Sequence, residues 1–439
     1  MQYSALMAFR LVLLVALILA APAFAALPDC RVGSYRLIDG SDVDVGAADG
    51  GALRWRRKDG TTGKLTPAGG NRWTSTLGWT GQPDGKSVAF DCDRRTIDFA
   101  GLAGTRIAFD VTETRFAGAG VELAGRLILP KGKGKVPIVI LIHGSEQDSA
   151  RDAYALQRQF PSEGIGAFVY DKRGTGESGG AYTQNYLLLA NDAIAALREA
   201  KRLAGKRVGR IGYQAGSQGG WVAPLAARIE PVDFVIVGFG LAVSPLDEDR
   251  EAIALNMTDH GFAADMPKAM EIADATAAVM LSDFRDGYDR VDAVRRKYQA
   301  EPWYRYIHGD VSFVLLQKSP AKLRELGPRM LAGAPWNYDP MPVLRNLNVP
   351  QLWLLGEDDV DAPSGETARR LRTLAAQGRP ITTIVLPHTE HGIYEYAVDA
   401  AGERLSTRQP ESYFRMMRDF IRDGRIRPAD ARARLPAGH

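Results

Sequence analysis

The rhythm of hydrophobic and polar positions changes along the chain. From about residue 121 onward, unbroken apolar runs recur: Pro137 to Ile142, Ile165 to Tyr170, Val208 to Tyr213, Phe234 to Val237, Gln351 to Leu355 and Ile381 to Leu386. Short continuous runs of this kind predict strands buried on both faces. Stretches with helical periodicity, such as Asp192 to Leu203 and Thr367 to Ala376, lie between most of them. This alternation predicts an α/β architecture with a doubly wound, mostly parallel sheet. One more strand is expected at Val121 to Pro130, closed by its proline and followed by the exposed turn Lys131 to Lys135.

Two regions depart from that rhythm. Residues 27–118 carry short runs, such as Tyr35 to Ile38 and Ala52 to Trp55, punctuated by Asp39-Gly40, Asp59-Gly60 and Asp84-Gly85. Asp-Gly between short runs is a hairpin signal, so a small antiparallel β domain is expected here. Its Trp55, Trp73 and Trp79 are expected at core or half-buried sheet positions, with a ligand face as the alternative. Residues 245–335 hold no strand-like run. They are helical in pattern, rich in charge, and end with Trp303, Tyr304, Tyr306 and Trp336. An insertion of this size is expected to sit as a helical cap over the active face. The organisation is therefore a leader over 1–25, a β domain over 27–118, a sheet domain over 121–244 and 336–430, and the cap between its halves.

Composition adds limits. The chain has 439 residues with 45% hydrophobic and 24% charged positions, and a net charge of only +3, so no basic stripe points to nucleic acid. Arg10 precedes the apolar run Leu11 to Ala20, and Ala23-Phe24-Ala25 offers small residues for cleavage. This is the pattern of a secretory signal peptide, with an uncleaved anchor as the alternative, and it places the protein in the periplasm or outside the cell. An exported chain meets an oxidising compartment, where Cys30 and Cys92 are expected to pair. Such a bridge would contribute about 4 kcal/mol by the chain-entropy model.

The sharpest chemical signal is Gly212-Tyr213-Gln214-Ala215-Gly216-Ser217-Gln218-Gly219-Gly220, where a buried strand runs into Ser217 and a helix follows. A tight strand-to-helix turn of small residues lifts a serine hydroxyl above a sheet, and the helix points its positive end at it. Ala215 stands where glycine is usual. A nucleophilic serine needs a base, and the base an acid, following it in the order serine, acid, histidine. The histidines after Ser217 are His260, His308, His388, His391 and His439. His260 and His308 fall in the insertion and His439 ends the chain. His391, followed by Gly392, is the expected base, with His388 as the alternative. Asp359, three beyond Gly356, is the expected acid; Asp358 and Asp361 compete with it. Oxyanion donors are expected at the backbone N–H groups of Gln218, directly after the nucleophile, and Ser145, in the loop His143-Gly144-Ser145. His143 is expected to brace that loop. Histidines and cysteines at metal-ligand spacing are absent, so neither metal nor cofactor is expected.

These pieces together resemble α/β-hydrolases of the exported esterase and prolyl-oligopeptidase-like type. The resemblance spans about Val121 to Gly424. It rests on His143-Gly144-Ser145, the stretch Tyr170 to Ser178, Gly216 to Gly220, Gly356 to Asp359 and His391-Gly392, in the family's order. It implies that Asp171 and Arg173 are structural, tying loops together by ion pairing. It does not reach residues 27–118.

The expected reaction is acyl transfer through an acyl-enzyme on a carboxylic ester. A serine peptidase acting on short peptides is the alternative, disfavoured because the β region is too small for a propeller. A catalytically silent binding protein on the same fold is a third reading, and binding of a polymer or surface by the β domain a fourth. The expected partner is a small ester or a short peptide. Neither nucleic acid nor a membrane span after leader removal is expected. Oligomeric state and acyl chain length are not encoded in the pattern.

Overall fold

The computed structural model describes residues 29–431; the leader expected over 1–25 lies outside them. Asp-Gly turns at positive φ (Gly40 +82°, Gly60 +86°) let short strands double back; the third pair, Asp84-Gly85, expected as a hairpin, lies instead inside the strand Pro83–Asp91, where Gly85 (φ +75°) sits at a register shift against the strand Arg72–Leu77. The strands are β1 (Gly33–Leu37), β2 (Asp42–Ala47), β3 (Leu53–Arg56), β4 (Thr62–Pro67), β5 (Arg72–Leu77), β6 (Pro83–Asp91), β7 (Thr96–Phe99) and β8 (Leu102–Arg106). They pair antiparallel in sequence order, and β8 returns to β1, closing a barrel. Alternate inward positions fill its interior, among them Tyr35, Val45, Leu65, Val88 and Phe99. Trp55 and Trp73 belong to this core, and the Trp55 indole donates to Ser75 Oγ at 2.8 Å. Neither cysteine is a free thiol.

The larger sheet contains β9 (Phe109–Ala117), β10 (Glu122–Pro130), β11 (Val136–Ile142), β12 (Gly166–Tyr170), β13 (Val208–Gly216), β14 (Phe234–Gly238), β15 (Gln351–Gly356) and β16 (Ile381–Leu386). Its order is β16-β15-β14-β13-β11-β12-β10-β9. β11 to β16 run parallel; β10 and β9 are antiparallel at one edge. The sequence pattern gives Phe109 to Ala117 to the β domain. It pairs instead with β10 over nine registered positions, so the small domain ends at β8. Its alternating, half-exposed side chains look the same in a hairpin barrel and at a sheet edge, which is why the boundary is invisible to patterning.

Both faces of the sheet are covered because both sets of alternating residues are apolar. On β11, Ile138, Ile140 and Ile142 face one core with the helices Tyr186–Ala204, Gly219–Ile229 and Ser364–Ala376. Val139 and Leu141 face the other, against Phe160 and the helix Glu411–Asp423, which presents Tyr413, Met416, Met417 and Phe420. Between β14 and β15 the helices Pro245–Asp259, Met266–Leu281, Tyr288–Tyr298, Ser312–Gln317 and Pro320–Met330 take up the inserted stretch and enclose their own apolar clusters. Beyond β16 a small antiparallel sheet forms from β17 (Thr389–Glu390), β18 (Tyr394–Val398) and β19 (Arg404–Arg408).

Candidate active site

Ser217 occupies the two-residue turn, Ser217-Gln218, between β13 and the helix Gly219–Ile229, at φ +51°. A non-glycine residue in this region is strained, and the surroundings hold it there. The Ser217 N–H donates to the Gly238 carbonyl at 3.1 Å, and its carbonyl accepts from Gly220 N–H at 2.7 Å. Small neighbours are required. A Cβ on Gly216 would meet the Phe239 ring at 2.5 Å, and one on Gly219 would lie 2.9 Å from the Ala215 methyl. Ala215 is thus accommodated by Gly219: the methyl that replaces the usual glycine fills space that a second side chain would contest.

Asp359 and His391 come together. β15 and β16 are neighbours in the sheet, so the loops leaving their ends emerge side by side. Asp359 is 1% exposed, and His391 Nδ1 lies 3.0 Å from its Oδ2. The amide N–H groups of Asp361 (3.1 Å) and Ala362 (2.8 Å) donate to Oδ1. A carboxylate fixed by two amides orients the imidazole with Nδ1–H toward it, leaving Nε2 as the basic nitrogen. The Phe239 ring packs edge-on against His391, 4.9 Å between centroids, and also covers Gly216 beside the serine. Asp361 therefore contributes its amide, while Asp358 accepts from the Tyr396 hydroxyl at 2.8 Å. His388 is 88% exposed and 3.8 Å from Asp358.

The loop after β11 borders the serine. A Cβ on Gly144 would stand 3.4 Å from Ser217 Cβ. His143 is buried, with Nε2 2.9 Å from the Tyr170 carbonyl, and burial pushes its imidazole down to about 4, so it is neutral. Glu146 accepts from Gly144 N–H at 3.2 Å and from the Tyr154 hydroxyl. Burial works to raise its carboxyl, but His143, Tyr154 and Lys172 outweigh it and hold it below the usual range. Among the described residues, neither Ser145 N–H nor Gln218 N–H has a partner inside the chain. Gln218 leads the helix Gly219–Ile229, where the dipole is positive.

Behind the loop, the Asp171 carboxylate is fully buried and accepts from Ser149 Oγ (2.7 Å), Arg151 N–H (3.2 Å) and Glu177 N–H (3.1 Å). Arg173 is bidentate on buried Asp192 at 2.6 and 2.8 Å. Both tie loops together.

Patterning passed over three groups near the site. Lys172, 3% exposed, donates from Nζ to the Gly144 carbonyl at 2.7 Å. Tyr182 donates to the Ser145 carbonyl at 2.7 Å. Glu248, on the helix Pro245–Asp259, is pushed well above the usual carboxylate range by burial and by Asp310, Asp249, Asp359 and Asp361 around it. Lys172, two residues past β12, reads as a surface lysine in the sequence, and a glutamate inside a charge-rich helix reads as solvated. Glu357, Asp358 and His388 bring ligand atoms within 4.8 Å of one another, with Glu357 and His388 exposed.

The sheet order and the serine turn define an α/β-hydrolase fold. No family model and no curated protein matches the chain. Among solved structures it is similar to an esterase of Pyrococcus furiosus (16% identity, 65% of this chain and 83% of that one, TM-score 0.41). It is similar also to a thermophilic esterase of Thermogutta terrifontis (18%, 72% and 100%, TM-score 0.41). A third likeness is to the acylaminoacyl peptidase of Pyrococcus horikoshii (14%, 87–88% of this chain but 56% of that one, TM-score 0.43–0.44).

Proposed function

We propose that the protein is an exported serine hydrolase that cleaves carboxylic esters through an acyl-enzyme. The observation that carries this reading is the buried Asp359 carboxylate bonded to His391, which directly follows β17, in a fold whose serine turn ends β13. Ser217 Oγ attacks the ester carbonyl while His391 Nε2 takes its proton; Asp359 balances the imidazolium. The N–H groups of Ser145 and Gln218 hold the oxyanion. Collapse expels the alcohol, protonated by His391, and water then repeats the cycle on the acyl-serine. The inserted helices act as a cap that shapes the acyl or alcohol pocket. Export is supported by the leader pattern and by the absence of a free thiol.

A second reading, a serine peptidase for short peptides, draws on Glu248. A carboxyl raised by burial, and further by the acids around it, gains from a cation, and a peptide's free amino terminus supplies one.

The test is a panel of p-nitrophenyl esters and aminoacyl-p-nitroanilides with wild type and Ser217→Ala. Esters are expected to turn over faster than anilides, and Ser217→Ala to lose about four orders of magnitude or more in kcat. Full activity in the variant sinks the mechanism; anilides preferred over esters promote the peptidase reading. A silent binding protein predicts no turnover in either.

A further inference from the structure

The polar groups of the loop beside Ser217 are nearly all assigned. Gly144 N–H donates to Glu146, the Gly144 carbonyl accepts from Lys172 Nζ at 2.7 Å, and the Ser145 carbonyl accepts from Tyr182 at 2.7 Å. Among the described residues, the backbone group of Gly144–Ser145 left open is the Ser145 N–H. That N–H and the Gly144 carbonyl belong to one peptide unit. The described residues contain no cis peptide bond, so the two point in opposite directions. Whatever holds the carbonyl therefore aims the N–H.

We propose that Lys172 is a positioning residue for the oxyanion hole: its ammonium holds and polarises the Gly144–Ser145 peptide, so that Ser145 N–H points at the oxyanion as a strengthened donor. This rests on the serine-hydrolase reading. A charge-assisted bond to a carbonyl is stronger than a neutral one, and it pulls electron density away from the N–H at the other end of the amide. The location fits the role. Lys172 is buried, reaches the loop from the end of β12, and lies over the Tyr182 ring at 4.9 Å, whose hydroxyl holds the next carbonyl. Burying an ammonium is costly, and it is tolerated here beside Glu146 and a ring face.

The arrangement carries its own signature. Burial lowers the Lys172 ammonium to about 8, with Glu146 opposing. The groups facing it titrate elsewhere: Glu146 is held below its usual value, His143 sits at about 4, and Tyr182 is pushed up to about 12. The protonated form is the useful one, so oxyanion stabilisation is complete well below about pH 8 and is lost as pH rises through it.

The test uses the full mature enzyme with p-nitrophenyl acetate, from about pH 6 to about pH 10, comparing wild type, Lys172→Met, Lys172→Arg and Ser217→Ala. Lys172→Met is expected to lose about 10- to 100-fold in kcat with KM changed less than about threefold. Its affinity for a trifluoromethyl ketone is expected to fall by a similar factor. Wild-type kcat is expected to decline through about pH 8, a limb missing from Lys172→Met and displaced upward in Lys172→Arg. Lys172→Met with wild-type kcat and an unchanged limb overturns the proposal, as does a loss confined to KM. Should Lys172→Met not fold, the wild-type profile decides: a limb near 8 supports the role and a kcat flat to about pH 10 overturns it. Retained activity in Ser217→Ala instead strikes the hydrolase reading itself.

Discussion

His388 and His391 are close in sequence and opposite in surroundings. His391 is three-quarters buried, bonded to a carboxylate that two amides fix, and covered by Phe239. His388 projects into solvent. His391→Ala is therefore expected to lower kcat by about ten-thousand-fold, and His388→Ala to leave it within about twofold, read by steady-state ester hydrolysis. The reverse result would move the base to His388 and the acid to Asp358. The pairing of Asp359 with His391 was legible because chain order and the scarcity of histidine leave few combinations. Lys172 was not, because a lysine is read as surface by default. Only its packing reveals that this one points inward to a carbonyl. Ala215 looked like a defect of the motif, and the fold shows the compensating empty side at Gly219.

The element that carries His391 was the least visible of all. β18 and β19 read Tyr-Glu-Tyr-Ala-Val and Arg-Leu-Ser-Thr-Arg, with no apolar run and no fully buried position. The parallel strands announced themselves because they are apolar on both faces; a small exposed sheet has no such signal. This sheet leans on the barrel. Trp79 N–H donates to the Ser406 carbonyl at 2.8 Å, and the Trp79 ring meets Tyr394 at 4.5 Å. Gln409 Nε2 donates to the Gly392 carbonyl at 2.9 Å, next to His391, while its own N–H donates to the Gly60 carbonyl at 3.0 Å. Trp79 is thus a contact between the barrel and the small sheet. Gly78, at φ +48°, would place a Cβ 2.4 Å from the Thr407 carbonyl oxygen. Gly78→Val is expected to lower stability by about 1–3 kcal/mol in urea unfolding and to reduce kcat as well. Gly81→Ala, at φ +72° with open space around its Cβ position, is the control expected to keep kcat.

Seen over all the residues from Arg31 onward, the barrel and the sheet domain are joined by more than their two-residue link, Ile107-Ala108. Arg158 is bidentate on Asp44 at 2.7 and 2.8 Å, both buried, and Asp44 also accepts from Ser34 at 2.7 Å. Lys58 pairs with Asp42 at 2.5 Å and with Glu163, and Arg408 donates to the Asp59 carbonyl at 2.7 Å. Removing one member of a buried ion pair costs about 3–5 kcal/mol, so the two parts do not separate cheaply. Differential scanning calorimetry of the mature chain is expected to give one transition, with a van't Hoff to calorimetric enthalpy ratio of about one. Two resolved peaks would show that the barrel melts alone. A single peak has a consequence for the chemistry. The histidine loop is held partly by the barrel, so on the proposed function catalytic competence and thermal cooperativity are one property. Loss of activity and loss of fold are then expected at the same temperature, with no warm interval in which an intact sheet carries a slack, inactive histidine.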